Sequence, residues 1–228
     1  KLWHEEGIAG FSDNANSRLV DKYTDKEFYN AFVIDDSNVS EKGDGKLNGL
    51  ITIGPSLPSI HSEKKFKRAH SETQRIINLL GITSGALNFD LIFDKNDNLY
   101  FLEIAPRNGG GLLAELIKKS TNVDLIKYTV DTALGMKLRK LSMKKCKGYW
   151  SSFMVHSLKK GIFKNLFISS KIKSRLIKSE MFVKTGDHVK KYCNSQHVLG
   201  NLILKFENQK EMLSLYKNPE KFIRVNLN

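Results

Sequence analysis

Two acidic residues, Asp90 and Glu103, are spaced so that they could bind a divalent cation together. Between them, residues 95–98 (Lys-Asn-Asp-Asn) are typical of a turn, and the flanking segments are apolar or alternating, as in a β-hairpin. A loop of two or of four residues at this turn pairs Asp90 with Glu103 and points both side chains to one face. Because directly opposed like charges destabilise a sheet by up to about 1 kcal/mol, a cation between them is a natural explanation.

Mg²⁺ suits this pair of acids best, because it commonly binds one or two protein carboxylates and completes its shell with water and substrate phosphates. Arg107 follows the second predicted strand, and its permanently charged guanidinium would bind the same phosphates. The alternative is a half-exposed hairpin whose two acids are simply solvated.

The same register predicts which residues of the hairpin face a core. One face would carry the acids together with Asn88, with Arg107 just beyond the strand. The opposite, apolar face would consist of Leu87, Phe89, Leu91 and Phe93 with Tyr100, Leu102 and Ile104.

Helices are predicted on both sides of this hairpin. A helix over 63–80, with Ser62 as its N-cap and Gly81 at its end, leads into the hairpin. After three consecutive glycines, two helices are predicted over 112–118 and 124–134, with Thr121 or Asn122 capping the second and Gly135 ending it.

The remaining elements are predicted from apolar runs and turn residues. Residues 1–27 are polar and irregular, although 15–26 could form a helix. Strands are expected over 28–35, 47–53, 149–156, 181–184, 202–206 and 222–227, and a helix over 209–216.

Composition favours a soluble cytoplasmic protein of one or two domains. The 228 residues are 40% hydrophobic, enough for a sizeable core, and no run of about 18 apolar residues suggests a membrane span. The start at Lys1 does not resemble a signal peptide, and the two cysteines, Cys146 and Cys193, have no metal-ligand spacing. The six histidines show no such spacing either, and we interpret them as surface or packing residues.

The net charge of +13 is concentrated in residues 137–191, which contain 16 Lys or Arg against two acidic residues. Such a region could attract nucleic acid, anionic lipid or phosphorylated substrates. Lysine outnumbers arginine by 30 to 7, however, as a bias toward A·T-rich codons would produce. Solvated lysines on the surface are therefore the favoured interpretation.

Residues 103–111, Glu-Ile-Ala-Pro-Arg-Asn-Gly-Gly-Gly, resemble the closing signature of the ATP-grasp superfamily. The likeness continues through 122–126 and 133–135, which resemble the helical segment of ATP-grasp carboxylate-amine ligases such as L-amino acid ligases. Residues 184–189 and 198–203 resemble the final β-rich piece of the same group, so the likeness covers residues 50–228. The dipeptide Asp21-Lys22 is similar to one found at the start of the central region in these proteins.

The resemblance implies an α+β fold, with an ATP-grasp-like antiparallel sheet, packed helices and a C-terminal β-rich subdomain. We expect an N-terminal segment (1–27), a partial catalytic subdomain (28–146) and the β-rich subdomain (147–228). It also implies a ligase that uses ATP and Mg²⁺ (or Mn²⁺) to activate a small-molecule carboxylate as an acyl phosphate for attack by an amine or similar nucleophile. A homodimer is compatible with this interpretation, whereas membrane or nucleic-acid partners are not expected.

The resemblance also assigns roles to individual residues. Asp90 and Glu103 would bind the metal, and Arg107 would be catalytic. The cofactor-binding set would be Asn88, Arg107, Asn108, Gly109, Gly110 and Gly111. The three glycines precede a predicted helix, so their backbone N–H groups could bind carboxylate or phosphate oxygens, or they could form a flexible linker.

Two departures from the family pattern leave other functions open. Asp90 stands where many members have Glu, and Ala105 where many have a metal-binding Asn. The usual phosphate-binding lysines, glycine-rich lid and acidic hinge are not recognisable, so we expect the sequence to be part of a longer polypeptide. The alternatives are a noncatalytic ATP-grasp relative that binds a nucleotide or a protein partner, and a basic nucleic-acid-binding protein.

Overall fold

The computed structural model describes residues 9–12, 18–21, 29–31, 53–58, 62–82, 85–93, 97–136 and 146–228. The strands are β1 (Ala9–Ser12), β2 (Arg18–Asp21), β3 (Tyr29–Ala31), β4 (Ser56–Leu57), β5 (Asn88–Phe93), β6 (Leu99–Ala105), β7 (Tyr149–Val155), β8 (Gly161–Ile168), β9 (Leu176–Met181), β10 (His188–Val189), β11 (Gly200–Phe206) and β12 (Ile223–Leu227). The helices are α1 (Glu63–Leu79), α2 (Leu113–Thr121), α3 (Leu125–Ala133), α4 (Ser170–Lys173), α5 (Gln209–Lys217) and α6 (Pro219–Phe222).

The first sheet contains the predicted hairpin. Its five strands lie in the order β3-β2-β1-β5-β6, with β1 parallel to β5 and the other neighbours antiparallel. The helix predicted over 15–26 is wrong where the chain is described, because Arg18–Asp21 forms β2. The strand predicted over 28–35 is confirmed at Tyr29–Ala31. Nearly all of the strand predicted over 47–53 lies outside the described residues.

Helix α1 packs beneath this sheet and was correctly predicted, including its cap. The Ser62 side chain accepts a hydrogen bond from the backbone N–H of Lys65, which satisfies a donor that the first helical turn cannot pair. The apolar stripe of α1 and the core face of β5 form one buried cluster, Phe66, Ala69, Ile77, Leu87, Phe89 and Leu91.

The C-terminal part contains two further sheets around the largest core. A four-stranded sheet has the order β4-β7-β11-β9, and a three-stranded sheet has the order β10-β8-β12. Helix α5 contributes Met212, Leu215 and Tyr216 to the buried cluster between them. Strand β8 was not predicted, and the strand predicted over 181–184 is wrong, because β9 occupies Leu176–Met181 instead.

A third buried cluster joins the helices after the glycines to the four-stranded sheet. It contains Leu113, Leu116 and Ile117 of α2 together with Trp150 of β7 and Ile203 of β11. The segment with the three glycines is thus anchored to a packed helix on its C-terminal side. Helix α3 is also confirmed, although its cap is Asp124 rather than Thr121 or Asn122.

The core face predicted for β6 is wrong at all three of its residues. Leu99 and Phe101 pack against the α1 cluster, whereas Tyr100, Leu102 and Ile104 are exposed. The pairing shifts by one residue between Asp90 and Leu91, which exchanges the faces on the turn side of the acids, where Tyr100 and Leu102 lie. Ile104 lies on the other side of Glu103, in the predicted register opposite Phe89.

No helix in the described ranges is long and apolar enough to cross a membrane. The division of the chain at residues 27 and 146 stays a prediction.

Candidate functional site

The two acids lie directly opposite each other on β5 and β6, as the sequence predicted. Asn88 pairs with Ala105, Phe89 with Ile104 and Asp90 with Glu103. Beyond this point Leu91 pairs with Phe101, so Leu102 is an extra residue in β6, which makes a β-bulge next to Glu103. Directly paired residues project to the same face, so both carboxylates share one surface of the sheet.

The side chain of Asp90 accepts a hydrogen bond from a buried side chain of its own strand. The amide Nδ2 of Asn88 donates a hydrogen bond to Oδ1 of Asp90 at 2.9 Å. Asn88 is only 1% exposed, whereas Asp90 is partly exposed. A buried amide thus orients one oxygen of a carboxylate that reaches the surface. The burial of Asn88 favours this supporting role over direct contact with a cofactor.

Glu103 and Arg107 form the exposed part of the site. Their side chains are each 58% exposed, and Nη2 of Arg107 is 3.9 Å from Oε1 of Glu103. This distance is the outer limit of an ion pair, and such exposed pairs contribute at most about 1 kcal/mol to stability. Arg107 also donates from Nη1 to the backbone oxygen of Asn108. The guanidinium therefore stays near the acids and remains accessible to an anion.

The side chain of Asn108 binds to α3. Its Nδ2 donates to Oγ1 of Thr129 at 2.9 Å, and Thr129 donates in turn to the backbone oxygen of Leu125. Thr129 was not singled out in the sequence, because a threonine inside a predicted helix gives no signal of a contact made 21 residues away. The contact fixes the start of the glycine segment against α3.

The three glycines differ in what surrounds them. A Cβ atom on Gly109 would lie 2.9 Å from Oδ1 of Asn88 and 2.5 Å from Cδ2 of Leu113, so any other residue here would force these side chains to move. Gly111 has a φ of +60°, and a Cβ there would meet the end of Met154. Gly110 has open space around it.

Ser152 of β7 provides a further support for the glycine segment that sequence reasoning missed. Its Oγ donates to the backbone oxygen of Gly111 at 2.6 Å. This contact ties the segment to the four-stranded sheet, in addition to the packing of α2. Segments with two such anchors are held in place, which argues against a freely flexible linker.

The donor set of the hairpin fits a hard cation that keeps part of its shell for water or phosphate. Two carboxylates on one exposed face match the one or two protein ligands that Mg²⁺ usually takes, and Arg107 lies beside them for the phosphate charge. In the described ranges, no group of three or more His, Cys, Asp or Glu side chains could enclose a metal ion. Asp90 and Glu103 would therefore hold a cation only together with water or a phosphate ligand.

Two titratable groups away from the hairpin, His156 and Cys146, have pKa values that burial shifts. Burial lowers the pKa of His156, whose ring stacks on Tyr192 with 4.6 Å between the ring centres. Burial raises the pKa of the Cys146 thiol to about 11, whereas Cys193 is exposed. The packing role of His156 agrees with the interpretation of the histidines from the sequence.

No protein-family model matches the chain, and no curated protein matches it in sequence. Solved structures do match it. The L-amino acid ligase from Bacillus licheniformis has a TM-score of 0.68 and 15% identity, over 96% of this chain and 50% of the ligase. Phosphoribosylglycinamide synthetase from Anaerococcus prevotii has a TM-score of 0.65 and 19% identity, over 96% of this chain and 52% of the synthetase.

A third match is the biotin carboxylase domain of the 2-oxoglutarate carboxylase from Hydrogenobacter thermophilus, solved in complex with MgADP, ADP and bicarbonate. Its TM-score is 0.57 at 15% identity, over 95% of this chain and 44% of that domain. The chain thus spans about half the length of these structures. The likeness extends over nearly all of the chain, and it shows that the chain has the fold of these structures, the ATP-grasp fold that the sequence resemblance implied.

Proposed function

We propose that this chain carries the nucleotide-metal site of a ligase that uses ATP and Mg²⁺ to join a small-molecule carboxylate to an amine or similar nucleophile. The observation that carries the proposal is the opposed pair of Asp90 and Glu103, with Arg107 beside it on the same exposed part of the hairpin. The similar structures include two enzymes named as a ligase and a synthetase and one complex with MgADP.

The reaction is a phosphoryl transfer followed by an acyl transfer. A carboxylate oxygen attacks the γ-phosphorus of ATP and the bond to ADP breaks, which gives an acyl phosphate. The amine then attacks the acyl carbon, phosphate leaves, and the amine loses a proton. The protein acts mainly by alignment and by neutralising phosphate charge, because phosphoryl transfer requires little covalent chemistry from the enzyme.

The residues of the hairpin have distinct parts in this reaction. Asp90 and Glu103 would hold Mg²⁺, which would supply positive charge to the phosphates. Arg107 binds the transferred phosphoryl group as a fixed cation, and its exposure leaves it accessible to substrate. The backbone N–H groups of the anchored glycine segment are available to bind a carboxylate or phosphate oxygen.

The proposal is tested by replacing Glu103 with Gln and titrating the protein with Mn²⁺, followed by electron paramagnetic resonance. Loss of one of two carboxylate ligands should weaken Mn²⁺ binding by at least about tenfold, or about 1.4 kcal/mol. Glu220→Gln is the matched control, because Glu220 is an exposed glutamate on α6. Equal Mn²⁺ affinity in the wild type, Glu103→Gln and Glu220→Gln would contradict the metal assignment.

A noncatalytic relative is the second candidate, and the absence of a side-chain oxygen at Ala105 favours it. Ala105 is buried opposite Asn88 and cannot supply a metal ligand from its side chain. Phosphate release from Mg-ATP by the complete polypeptide, in the presence of mixed amino acids, distinguishes the two functions. Release that depends on the added acids supports the ligase, whereas Mn²⁺ and ATP binding without any release supports the noncatalytic relative.

A further inference from the structure

Asn88 lies between the acid pair and the glycine segment and contacts both. Its Nδ2 donates to Oδ1 of Asp90 at 2.9 Å. Its Oδ1 faces the backbone of Gly109 and would be 2.9 Å from a Cβ atom at that residue. One side chain therefore touches the two parts of the site that are separate in sequence.

The surroundings of Asn88 leave it little freedom to move independently. The residue is 1% exposed and pairs with Ala105 at the end of the β5–β6 pair. A rotation that relieved a clash at Gly109 would carry the amide away from Asp90. Hydrogen bonds to a carboxylate fix its orientation, and groups that orient metal ligands commonly change metal affinity by about 10- to 100-fold when removed.

We propose that Asn88 is a positioning residue that couples the glycine segment to the metal-binding acid pair. The proposal rests on the proposed function, because it presupposes that Asp90 and Glu103 bind a cation. Displacement of the segment at Gly109 moves the Asn88 amide, and the carboxylate of Asp90 loses the donor that orients it. The cation affinity of the site then depends on the conformation of the glycine segment.

A double-mutant cycle on the full chain tests this coupling, with Mn²⁺ as the probe and electron paramagnetic resonance as the readout. Asn88→Ala should weaken Mn²⁺ binding by about tenfold. Gly109→Ala should weaken it several-fold, because the new methyl group displaces the amide. The double variant should bind Mn²⁺ no more weakly than Asn88→Ala alone, since the effect of the methyl group passes through Asn88.

Ile77→Ala is the control for general loss of packing. Ile77 is also 1% exposed and lies on the buried face of α1, in the helix that packs beneath the hairpin sheet. This variant should lower the melting temperature and leave the Mn²⁺ affinity unchanged. If the role of Asn88 were purely structural, Asn88→Ala would likewise lower the melting temperature and leave the Mn²⁺ affinity unchanged.

Several results overturn the inference. Wild-type affinity in Asn88→Ala, or additive effects in the double variant, would show that Asn88 does not couple the two parts. If Asn88→Ala does not fold, the coupling is tested with Asn88→Ser and Gly109→Ala as single variants. Unchanged Mn²⁺ binding in both contradicts the coupling. If the wild type itself binds no Mn²⁺, the proposed metal site fails and the inference fails with it.

Discussion

Replacing Gly111 and Gly110 separately by alanine should have very different effects on stability. Gly111 has a φ of +60°, in the left-handed region, where a Cβ costs about 1–2 kcal/mol. The new methyl group would also meet the terminal carbon of Met154, a flexible atom that has to move. Together these effects should lower the free energy of unfolding by about 2 kcal/mol.

Gly110 is the matched control, because it is adjacent in the same segment and has open space where a Cβ would project. Gly110→Ala should therefore be nearly neutral, within about 0.5 kcal/mol. For a chain of this length, a difference of about 2 kcal/mol corresponds to roughly 4–8 °C in melting temperature.

Thermal unfolding followed by circular dichroism, on both variants in one buffer, measures this difference. Each variant should unfold in one transition, so that the midpoints can be compared. Equal melting temperatures for Gly111→Ala and Gly110→Ala would refute the reasoning, because they are the result expected of a linker without a fixed conformation. A melting temperature unchanged from wild type in both would do so most clearly.

Two further predictions concern ionisable groups. At pH 8, iodoacetamide should modify exposed Cys193 much faster than Cys146, because the raised pKa of Cys146, about 11, keeps its thiol protonated; peptide mapping tests this. Between pH 9 and 11 Cys146 ionises only in the unfolded chain. The free energy of unfolding should therefore fall as the pH rises through this window, which unfolding curves test. Asp124→Ala should destabilise the protein by about 1 kcal/mol at pH 7, because Asp124 caps α3. Hydrogen bonds from Lys118 and Lys127 lower the pKa of Asp124, so its contribution to the free energy of unfolding is present above its ordinary pKa of 3.8 and is lost as the pH falls further. The unfolding midpoints of wild type and variant should therefore converge at low pH. A gap that stays constant with pH would contradict this.

The acid pair could be predicted from sequence because turn residues and apolar strands restrict the hairpin to few registers. The bulge at Leu102 could not, since the run from Leu99 to Ile104 is apolar at nearly every position and fits either face. The pairing is therefore right at Asp90 and Glu103, whereas the core face of β6 is wrong at Tyr100 and Leu102 on the turn side and at Ile104 on the other side. Contacts such as Asn108 with Thr129 depend on tertiary packing and leave no local pattern.

Elsewhere, elements were predicted correctly where apolar residues recur with the period of a helix or a strand, and they were missed where this period is absent. Helix α1 has an apolar stripe and a serine cap, and both appear in the structure. Strand β8 alternates poorly because Leu166, Phe167 and Ile168 follow one another, and β9 contains Lys178, Ser179 and Glu180 in succession. Neither run has the period of two that identifies a half-buried strand.

The bulge in β6 also affects how readily the edge of its sheet can pair with a further strand. Among the described strands, β6 is the last of its sheet, and it exposes Tyr100 and Leu102. An edge strand with unpaired backbone groups and exposed apolar side chains is a template on which a second molecule can add a strand. An extra residue in the edge strand interrupts the regular spacing of its free N–H and C=O groups and bends the strand, so an incoming straight strand cannot pair along its length. The irregularity beside Glu103 therefore also protects the sheet against edge-to-edge aggregation.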